Sequence, residues 1–456
     1  MDRSYQRLWF EKRRLSHVSP TPPRPDLDFD YLLNPENLPT LRTNVAARKR
    51  VGDPERVHKL WRQISDHFLF NQSQSKKETH YTEQELKALW QEFYIEASLI
   101  PNRTHPATPI GPPEASQLLE IIGEKKEPGR RNATAETATV AAKLGVFNLG
   151  NTCGERSYAL LDSLCRLEYS LAMFTMHLLV NKHGFTPIVV PDILPSEIPA
   201  RCGLIQRTPK NIVYEVDTHL LRRTDSGDEQ TINNEHRMCL SGTGEMGIAN
   251  YLAGQLLSYD ELPLKLVSHS RCFRPEITES KLQSGLYRVH EFDKVEMFVV
   301  CPADEDLSED TFNELVSIQK SICQDFELHA KVMEMSSEEL GSPAFRKVDI
   351  EAWMPGRGIY GEISSASNCT DFQSRRLLLR YRDRNQAIKF PYTMNGTACA
   401  IPRTIIAIIE QHIQKNNTVT MPKAIRPYFE HPTLFPSRQP LTAQVKHPYS
   451  DYNLKI

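Results

Sequence analysis

The sequence lacks any long uninterrupted apolar run, and no stretch approaches the roughly 18 residues needed to cross a bilayer. Nine cysteines are present, from Cys153 to Cys399, yet they form no CxxC pair and no regular framework. That absence argues against a zinc ribbon and a disulfide-stapled secreted domain, and favours a reducing compartment. Because the formal net charge is only -2, any contact with nucleic acid must depend on local basic clusters. No internal repeat is visible.

The length of 456 residues, with 39% hydrophobic content, predicts a core in each of two or three units. Composition along the chain predicts an extended, targeting-like lead (1–40), a helical arm (41–100), a linker (101–145), a main domain (146–430) and a tail (431–456). The first residues, MDRSYQRLWFEKRRL, are Arg-rich as in mitochondrial import signals, although Asp2 and Glu11 depart from the acid-poor composition of such peptides.

The arm region predicts two antiparallel helices. The first begins with Asp53 as N-cap and Pro54 at the first helical position, and the second with a capping box from Thr82 to Glu85. Each carries one apolar stripe, and a short polar connection joins them. At about 1.5 Å per residue, such a hairpin reaches on the order of 27 Å.

The main domain predicts an α+β fold with an antiparallel sheet flanked by helices. A long helix stops at Gly184, and a closing helix begins near Pro402. The predicted strands are FTPIVVPDIL, KLVSHSRCF, KVEMFVV, RKVDIEAWM, GIYGEISSA, SRRLLLRYR and PYTMNG. Because strands outnumber helices without regular βαβ spacing, a doubly wound sheet is disfavoured.

The segment spanning residues 268–300 predicts two strands joined by a polar loop, with its chemistry on one face. Strand alternation places Arg288, His290, Phe292, Lys294 and Glu296 on a shared side. An arginine can clamp a phosphate, a ring can stack on a base and a carboxylate can bind an amino group, which together suit a nucleotide. An amphipathic hairpin with a solvated polar face is the alternative.

Two later segments add candidates. Glu362 and Ser365 offer oxygen ligands for a hard cation, although a glutamate near serines also suits an ordinary strand edge. Asn395 and Thr397 share a strand face, and Arg403 occupies the first turn of the following helix, where it suits a polyphosphate as well as an exposed surface.

Two polar stretches leave their roles open. The run GEKKEPGRRN contains Lys125, Lys126, Arg130 and Arg131, which suit either phosphate contact or a solvated surface. The stretch RRTDSGDEQTINNEHR suits a disordered loop, or a segment that screens a pocket.

In this order and spacing, three motifs resemble the signature motifs of class II aminoacyl-tRNA synthetases, and specifically of seryl-tRNA synthetases. They are HGFTPIVVPDIL, CFRPE followed by GLYRVHEFDKVE, and NGTACAIPRT. The run VDIEAWMPGRGIYGEISSASNCTDFQSRR is similar to that family almost residue for residue, IPNRTHP matches its link between arm and catalytic domain, and TACAIPR resembles its mitochondrial branch. The resemblance spans residues 100–430 and implies a mitochondrial protein with a class II synthetase-like domain over 146–430.

The resemblance implies ATP, magnesium and serine as ligands, if the family site is functional. It assigns Arg274 to the α-phosphate, Glu276 and Phe292 to the adenine edge and face, Arg288 and Arg403 to the distal phosphates, and Glu362 with Ser365 to magnesium. The implied serine pocket consists of Thr243, Glu245, Glu296, Asn395 and Thr397. Catalysis in such sites depends mainly on positioning and charge neutralisation, with Arg274 and Arg403 as the family's catalytic positions.

The departures from the family concern the arm and the site. The arm is about half the length usual in the family, Ser284 replaces an arginine, Gly244 replaces an alanine, and Glu291 replaces a glutamine or histidine. A missing charge-assisted phosphate contact costs about 1.5 to 3 kcal/mol. By strand alternation, Glu291 faces away from the nucleotide.

These departures favour a paralogue that binds tRNA, foremost tRNA-Ser, and dimerises but has lost ligase activity, similar to the seryl-tRNA synthetase-like duplicates of insect mitochondria. Two alternatives stay open. One is an active mitochondrial serine-tRNA ligase; the other is a non-catalytic partner that forms a heterodimer with the authentic mitochondrial enzyme.

Overall fold

The computed structural model describes residues 25–73, 81–125, 146–148, 156–204, 213–217, 237–276, 285–414, 416–429 and 431–434. Its helices are α1 (Phe29–Leu32), α2 (Leu38–Ala47), α3 (Pro54–Ser73), α4 (Glu83–Leu99), α5 (Ser163–His183), α6 (Glu197–Arg201), α7 (Gly244–Leu252), α8 (Glu305–Asp325), α9 (Phe372–Leu377), α10 (Ile401–His412) and α11 (Arg426–Phe429). Within the described ranges, no helix is both long and apolar enough to cross a membrane.

The strands fall into one large sheet and several small ones. They are β1 (Gln117–Ile122), β2 (Val146–Asn148), β3 (Tyr158–Leu160), β4 (Thr186–Pro187), β5 (Ile193–Pro195), β6 (Glu215–Val216), β7 (Met238–Leu240), β8 (Leu256–Ser258), β9 (Leu264–Phe273), β10 (Glu291–Cys301), β11 (Ala330–Glu334), β12 (Arg346–Met354), β13 (Ile359–Asn368), β14 (Arg380–Arg382), β15 (Ile388–Lys389), β16 (Tyr392–Ala400), β17 (Val419–Thr420) and β18 (Thr433–Leu434).

The large sheet has the strand order β1-β11-β12-β13-β16-β10-β9-β4. Its neighbours pair antiparallel, except that β4 runs parallel to β9. One face is covered by α5, α8 and α10, whose apolar residues join those of the central strands in the main core cluster. The α+β fold predicted from the sequence is therefore confirmed, and the uncovered part of the opposite face is available for chemistry.

The helical hairpin of the arm is formed by α3 and α4. Arg56 N donates to the Asp53 carboxylate at 2.9 Å, and both hydrogen bonds of the Thr82–Glu85 capping box are present, so both predicted starts are confirmed. The interior is aromatic, with the Trp61 and Phe93 ring centroids 5.7 Å apart. The predicted stop of α5 is confirmed as well, because Gly184 ends that helix with a left-handed φ of 70°.

The prediction of an extended segment before the arm was wrong for the described residues 29–40. Residues 29–40 were predicted to be extended, but α1 and the start of α2 are helical, and Leu32, Leu33 and Leu41 are buried with the arm core. Helices this short, flanked by prolines, show too few periodic positions to be recognised by pattern.

Three other predictions need correction. The linker contributes β1, which pairs with β11 at the sheet edge. The segment SRRLLLRYR is not one strand, since it contains the end of α9 and then β14. FTPIVVPDIL forms only the short strands β4 and β5, because prolines interrupt the ladder between them.

The arm is attached to the main domain at its base. The Asn102 amide nitrogen lies 2.8 Å from Pro343 O, 2.9 Å from Cys369 O and 3.0 Å from Thr370 Oγ1. The Arg48 guanidinium donates to Gly341 O in the same region. The attachment is thus polar and buried, which restricts how the arm can tilt.

Candidate functional site

A pocket that opens to solvent lies where β10, β13 and β16 meet the start of α10. It is lined by Arg274, Glu276, Leu286, Tyr287, Arg288, Val289, Phe292, Lys294, Glu362, Ile363, Thr397, Ala400, Pro402 and Arg403. Every residue that the sequence assigned to ATP except Ser365 is in this lining. Of the predicted serine set, only Thr397 reaches it.

One end of the pocket combines an aromatic ring with arginines. The Arg274 guanidinium lies 5.3 Å from the Phe292 ring centroid, and its Nε donates to Gly242 O at 3.1 Å. Arg288 Nη1 donates to Glu276 Oε2 at 2.9 Å. Arginines with a stacking ring and a carboxylate can bind phosphates, a base plane and an amino group respectively.

At the other end of the pocket, Arg403 faces Glu362. Arg403 Nη1 lies 3.6 Å from Glu362 Oε1, and Arg403 Nε donates to Tyr287 O, which fixes the guanidinium over the sheet. Burial by itself raises the pKa of Glu362, but the charges of Lys347, Arg403 and others outweigh it and lower the pKa. The Glu362 side chain is 44% exposed, so an ionised carboxylate faces the pocket.

Glu362 and Ser365 lie on the same face of β13, which simple alternation does not predict for positions three apart. The register shows the reason: Glu362 pairs with Glu351 and Ser365 with Asp349, and a bulge lies between the two pairs. Ser365 also hydrogen-bonds Asp349, whose pKa burial raises to about 6 against the opposing charge of Lys347.

These oxygen donors fit a hard cation that arrives with phosphate oxygens. Among the described residues, no group of three or more His, Cys, Asp or Glu side chains could hold a metal alone. Magnesium typically takes one or two protein carboxylates, with substrate phosphates and waters completing the shell. Glu362 and Ser365 are therefore compatible with a Mg-nucleotide.

The first half of the predicted serine set is closed by internal contacts. Lys294 Nζ lies 2.6 Å from Glu296 Oε2, and Thr397 Oγ1 donates to the same oxygen at 2.9 Å. Both charged side chains are almost fully buried, at 7% and 3% exposure. No function was assigned to Lys294 from the sequence. Its position two residues before Glu296 on the same strand puts both side chains on one face, and this spacing could have indicated the ion pair.

The second half surrounds Glu245 on α7. Its Oε1 accepts from Gln373 Nε2 at 2.5 Å and from Asn395 Nδ2 at 3.0 Å. Burial, together with the nearby Glu296 charge, raises the pKa of Glu245 to about 7. Thr243 is the N-cap of α7. Gln373 was missed, because it lies on α9, a short helix just before and overlapping the predicted strand SRRLLLRYR, and the sequence did not predict that helix.

The residues that depart from the family pattern lie in different surroundings. Gly244 is buried at the start of α7, and a Cβ there would lie 2.9 Å from Ser270 Oγ and 3.3 Å from Glu296 Cβ. Glu291 is exposed and lies 3.7 Å from Arg271, away from the pocket as predicted. Ser284 and residues 222–236 of the polar insertion lie outside the described residues, as do Lys126, Arg130 and Arg131.

Comparisons with known proteins agree with this site. Residues 227–412 match the tRNA synthetase class II core domain (G, H, P, S and T). The mitochondrial serine-tRNA ligase of Bos taurus is 38% identical over 343 residues, which is 75% of this chain and 63% of the relative. The serine-tRNA ligase of Rubrobacter xylanophilus is 33% identical over 361 residues, covering 78% of this chain and 80% of the relative. The chain thus spans less than two thirds of the length of the Bos taurus relative.

Solved structures agree at the level of fold. Seryl-tRNA synthetase from Pyrococcus horikoshii, complexed with ATP, superposes with a TM-score of 0.72 at 24% identity, covering 90% of this chain and all of that one. The cytoplasmic serine-tRNA ligase of Naegleria fowleri, in complex with AMP, gives a TM-score of 0.74 at 24% identity, covering 91% of this chain and all of that one. With matching motifs, pocket and relatives, the chain belongs to the seryl-tRNA synthetase family of class II.

Proposed function

We propose that this protein is a mitochondrial seryl-tRNA synthetase paralogue that binds tRNA or another RNA and dimerises, but has lost serine-tRNA ligase activity. Within the family, the proposal groups it with the seryl-tRNA synthetase-like proteins of insect mitochondria. Mitochondrial location is supported by relatives from cattle, mouse and yeasts that carry that designation.

The observation that carries this proposal is the contrast between the two halves of the site. The nucleotide half is an open pocket lined by Arg274, Phe292 and Arg403. The serine half is closed, because Glu296 is buried against Lys294 and Thr397. An incoming amino acid must break a buried ion pair before its ammonium can reach Glu296, and leaving a buried charge unpaired is strongly unfavourable.

Two further features support lost aminoacylation. The arm helices α3 and α4 have 20 and 17 residues, which extend only about 25 to 30 Å from the domain. Gly244 is the first residue of α7, between Thr243 and Glu245 of the implied serine set, and glycine adds backbone freedom there.

The test of lost activity is serine-dependent exchange between ATP and pyrophosphate, measured beside an authentic seryl-tRNA synthetase. We expect no exchange above background from the folded protein. If exchange appears, R274A must abolish it, since otherwise the signal comes from a contaminating enzyme. Exchange that is comparable to the authentic enzyme and sensitive to R274A overturns the proposal.

An active ligase is the first alternative, and the nucleotide half of the pocket favours it. All the assigned ATP residues except Ser365 converge there, and Glu362 is held ionised beside Arg403. ATP binding alone does not distinguish the inactive paralogue from the active ligase, but the effect of serine on ATP affinity does. ATP binding that serine does not tighten supports the paralogue, whereas tightening by serine supports the ligase.

A non-catalytic partner subunit is the second alternative. The family's dimer interface is expected around α5 and β4, and exposed apolar side chains occur there: Tyr169 is 61%, Met173 59% and Val189 94% exposed. A duplicate inherits a surface complementary to that of its parent. Co-purification of the tagged protein with authentic mitochondrial seryl-tRNA synthetase supports a heterodimer, and recovery as a homodimer alone argues against it.

RNA binding is tested separately by titrating tRNA-Ser and an unrelated tRNA across a range of salt concentrations. Electrostatic contact with phosphates gives an affinity that falls steeply with salt. We expect binding to both tRNAs with a clear salt slope. The RNA-binding part of the proposal fails if neither tRNA binds at low salt.

A further inference from the structure

A group of cations and aromatic rings lies next to the pocket and has no part in the assignments above. We call Lys125, Lys331, Trp353 and Tyr360 the lysine-aromatic patch. Lys125 Nζ lies 4.1 Å from the Trp353 ring centroid and 5.8 Å from that of Tyr360. Lys331 Nζ lies 4.1 Å from the Tyr360 centroid, and the two rings are 5.0 Å apart. Two ammonium groups therefore share one small aromatic platform.

The patch is on the same face of the sheet as the pocket. Trp353 pairs with Tyr360 across β12 and β13, and Glu351 pairs with Glu362 two positions further along. Lys331 on β11 pairs with Glu351. Since side chains of directly opposed residues point to the same face, the patch continues the floor of the pocket beyond Glu362.

The two lysines differ from Lys294 and Lys347 in lacking a carboxylate within salt-bridge distance among the described residues. Lys294 and Lys347 each contact a buried carboxylate at 2.6 Å. Among the described residues, neither Lys125 nor Lys331 lies within 4.0 Å of a carboxylate oxygen. Glu351 is the cross-strand neighbour of Lys331. Burial, followed by the charges of Asp349 and Glu362, raises the pKa of Glu351, and the charge of Lys331 acts in the opposite direction.

Contacts of His329 hold the Tyr360 ring in place. His329 Nε2 lies 2.9 Å from the Tyr360 hydroxyl, and His329 Nδ1 lies 3.0 Å from Gly123 O. The indole Nε1 of Trp353 is buried and has no hydrogen-bond partner in the described part of the chain. A fixed ring pair with an unused donor, beside two ammonium groups that lack a salt-bridge partner among the described residues, has the composition of a ligand-binding surface.

We propose that the lysine-aromatic patch binds single-stranded RNA next to the nucleotide pocket. This inference rests on the RNA binding proposed above and specifies where on the main domain a strand is held. Bases stack on aromatic faces, and phosphates attract ammonium groups. A lysine side chain is flexible, so each ammonium can leave its ring for a phosphate while a base takes the ring face. Lys125 also begins the basic run, whose remaining residues are not part of this site.

The test measures binding of a fluorescent single-stranded RNA of about 12 nucleotides to the full chain and to K125A/K331A. We expect affinity to fall about tenfold, and the log-log salt slope to become smaller by about 1.4, since each single-strand phosphate contact contributes about 0.7. K125R/K331R keeps both charges and should bind within about threefold of the wild type. K265A/K389A is the matched control, because each of these lysines pairs with a surface carboxylate.

Each outcome is decisive. If the wild type binds RNA and K125A/K331A binds it with unchanged affinity and slope, the patch is overturned while the proposed RNA binding stands. If the wild type binds no RNA, both fail. A duplex of the same sequence that binds as tightly as the single strand, with the same loss in K125A/K331A, overturns the stacking role.

Photo-crosslinking supplies a readout that a structural role would not give. Oligonucleotides carrying 4-thiouridine should crosslink to the peptide that contains Trp353 and Tyr360, and K125A/K331A should reduce that crosslink. Crosslinks found only on the arm helices contradict the proposal.

Discussion

At the scale of single residues, the site contains two buried glutamates in different surroundings. Glu296 contacts the ammonium of Lys294 at 2.6 Å, whereas Glu245 receives hydrogen bonds from the side-chain amides of Gln373 and Asn395 and from no cation among the described residues. An amide compensates a buried negative charge less well than a cation does. With a pKa of about 7, Glu245 is partly protonated at neutral pH. Binding of a ligand beside Glu245 is therefore coupled to the gain or loss of this proton.

The raised pKa of Glu245 predicts a pH dependence of stability. Its ordinary value of 4.5 rises to about 7 in the folded protein, so between these pH values the unfolded chain ionises this group and the folded chain does not. The free energy of unfolding therefore decreases as pH rises from 4.5 towards 7, by on the order of 3 kcal/mol from this group.

The substitution E245Q mimics the protonated form, since its carbonyl oxygen can still accept both amide hydrogen bonds. We expect thermal unfolding of E245Q to vary less between pH 4.5 and 7 than that of the wild type, and E245Q to be at least as stable at pH 7. E83Q, on the exposed side of the arm, serves as the control. A wild-type profile that E245Q leaves unchanged contradicts the prediction.

Gly244 predicts a coupled pair of substitutions. Alanine at this helical position is intrinsically favourable by about 0.5 to 1 kcal/mol, but its Cβ would lie 2.9 Å from Ser270 Oγ. That hydroxyl is buried without a hydrogen-bond partner among the described residues, so removing it costs little. We expect G244A to destabilise the protein by about 1 kcal/mol, and G244A/S270A to be as stable as S270A or more so.

Urea unfolding of the wild type, both single variants and the double variant forms a double-mutant cycle that isolates this contact. An additive cycle, with no coupling between positions 244 and 270, would show that the steric account is incorrect.

At the scale of elements, the folding of the arm and its position relative to the sheet depend on two different sets of contacts. Phe93 and Ala97 of α4 are buried against α1 and α3, so the arm has its own aromatic core. Its position relative to the sheet is instead set by polar contacts around Asn102 and Arg48. Interior contacts thus determine whether the arm folds, and base contacts determine where it points.

Asn102 predicts that the arm can be detached without unfolding it. The substitution N102A removes the amide donor from two backbone carbonyls and one hydroxyl, at a cost of about 2 to 3 kcal/mol. N102D keeps the shape and removes the donor, so it should behave similarly. Limited proteolysis should then cleave near residues 100–110 faster in both variants, with the arm fragment remaining helical. Wild-type cleavage rates in both variants would argue against this role of Asn102.

At the scale of the whole molecule, one group of exposed apolar side chains lies on α5 and just after β4, and another lies on β1 at the opposite edge of the large sheet. Tyr169 and Met173 lie one helical turn apart on α5, and Val189 follows β4. Apolar groups so exposed in a cluster are typical of an interface between subunits. The proposed dimer therefore buries this surface, whether its partner is a second copy or the authentic synthetase.

The dimer proposal predicts that Y169E/M173E is monomeric. Both positions are exposed in the single chain, so the substitutions should not affect folding but should place charges inside the interface. Sedimentation velocity should show a shift from dimer to monomer, while I388E, at an exposed position on β15, should remain dimeric. A dimer that persists in Y169E/M173E would place the interface elsewhere.

The sequence by itself determined the fold class, the family and most of the pocket that is proposed for the nucleotide. The resemblance in motif order placed Arg274 and Arg403 around one pocket, and strand alternation placed Phe292 there, because short-range periodicity determines which face a strand side chain occupies. The strand prediction was wrong for Arg288 and His290, which precede β10. Helix starts at Asp53 and Thr82 were equally local, since capping depends on residues only three positions apart.

Only the tertiary structure decided the features that depend on distant contacts. The bulge that brings Glu362 and Ser365 to one face depends on the register with β12, and the amides around Glu245 come from α9 and β16. The helices α1 and α2 form because the arm core buries them. The lysine-aromatic patch joins β11, β12, β13 and the chain after β1. Such pairings result from the burial and hydrogen bonding of the whole sheet, which no local sequence pattern encodes.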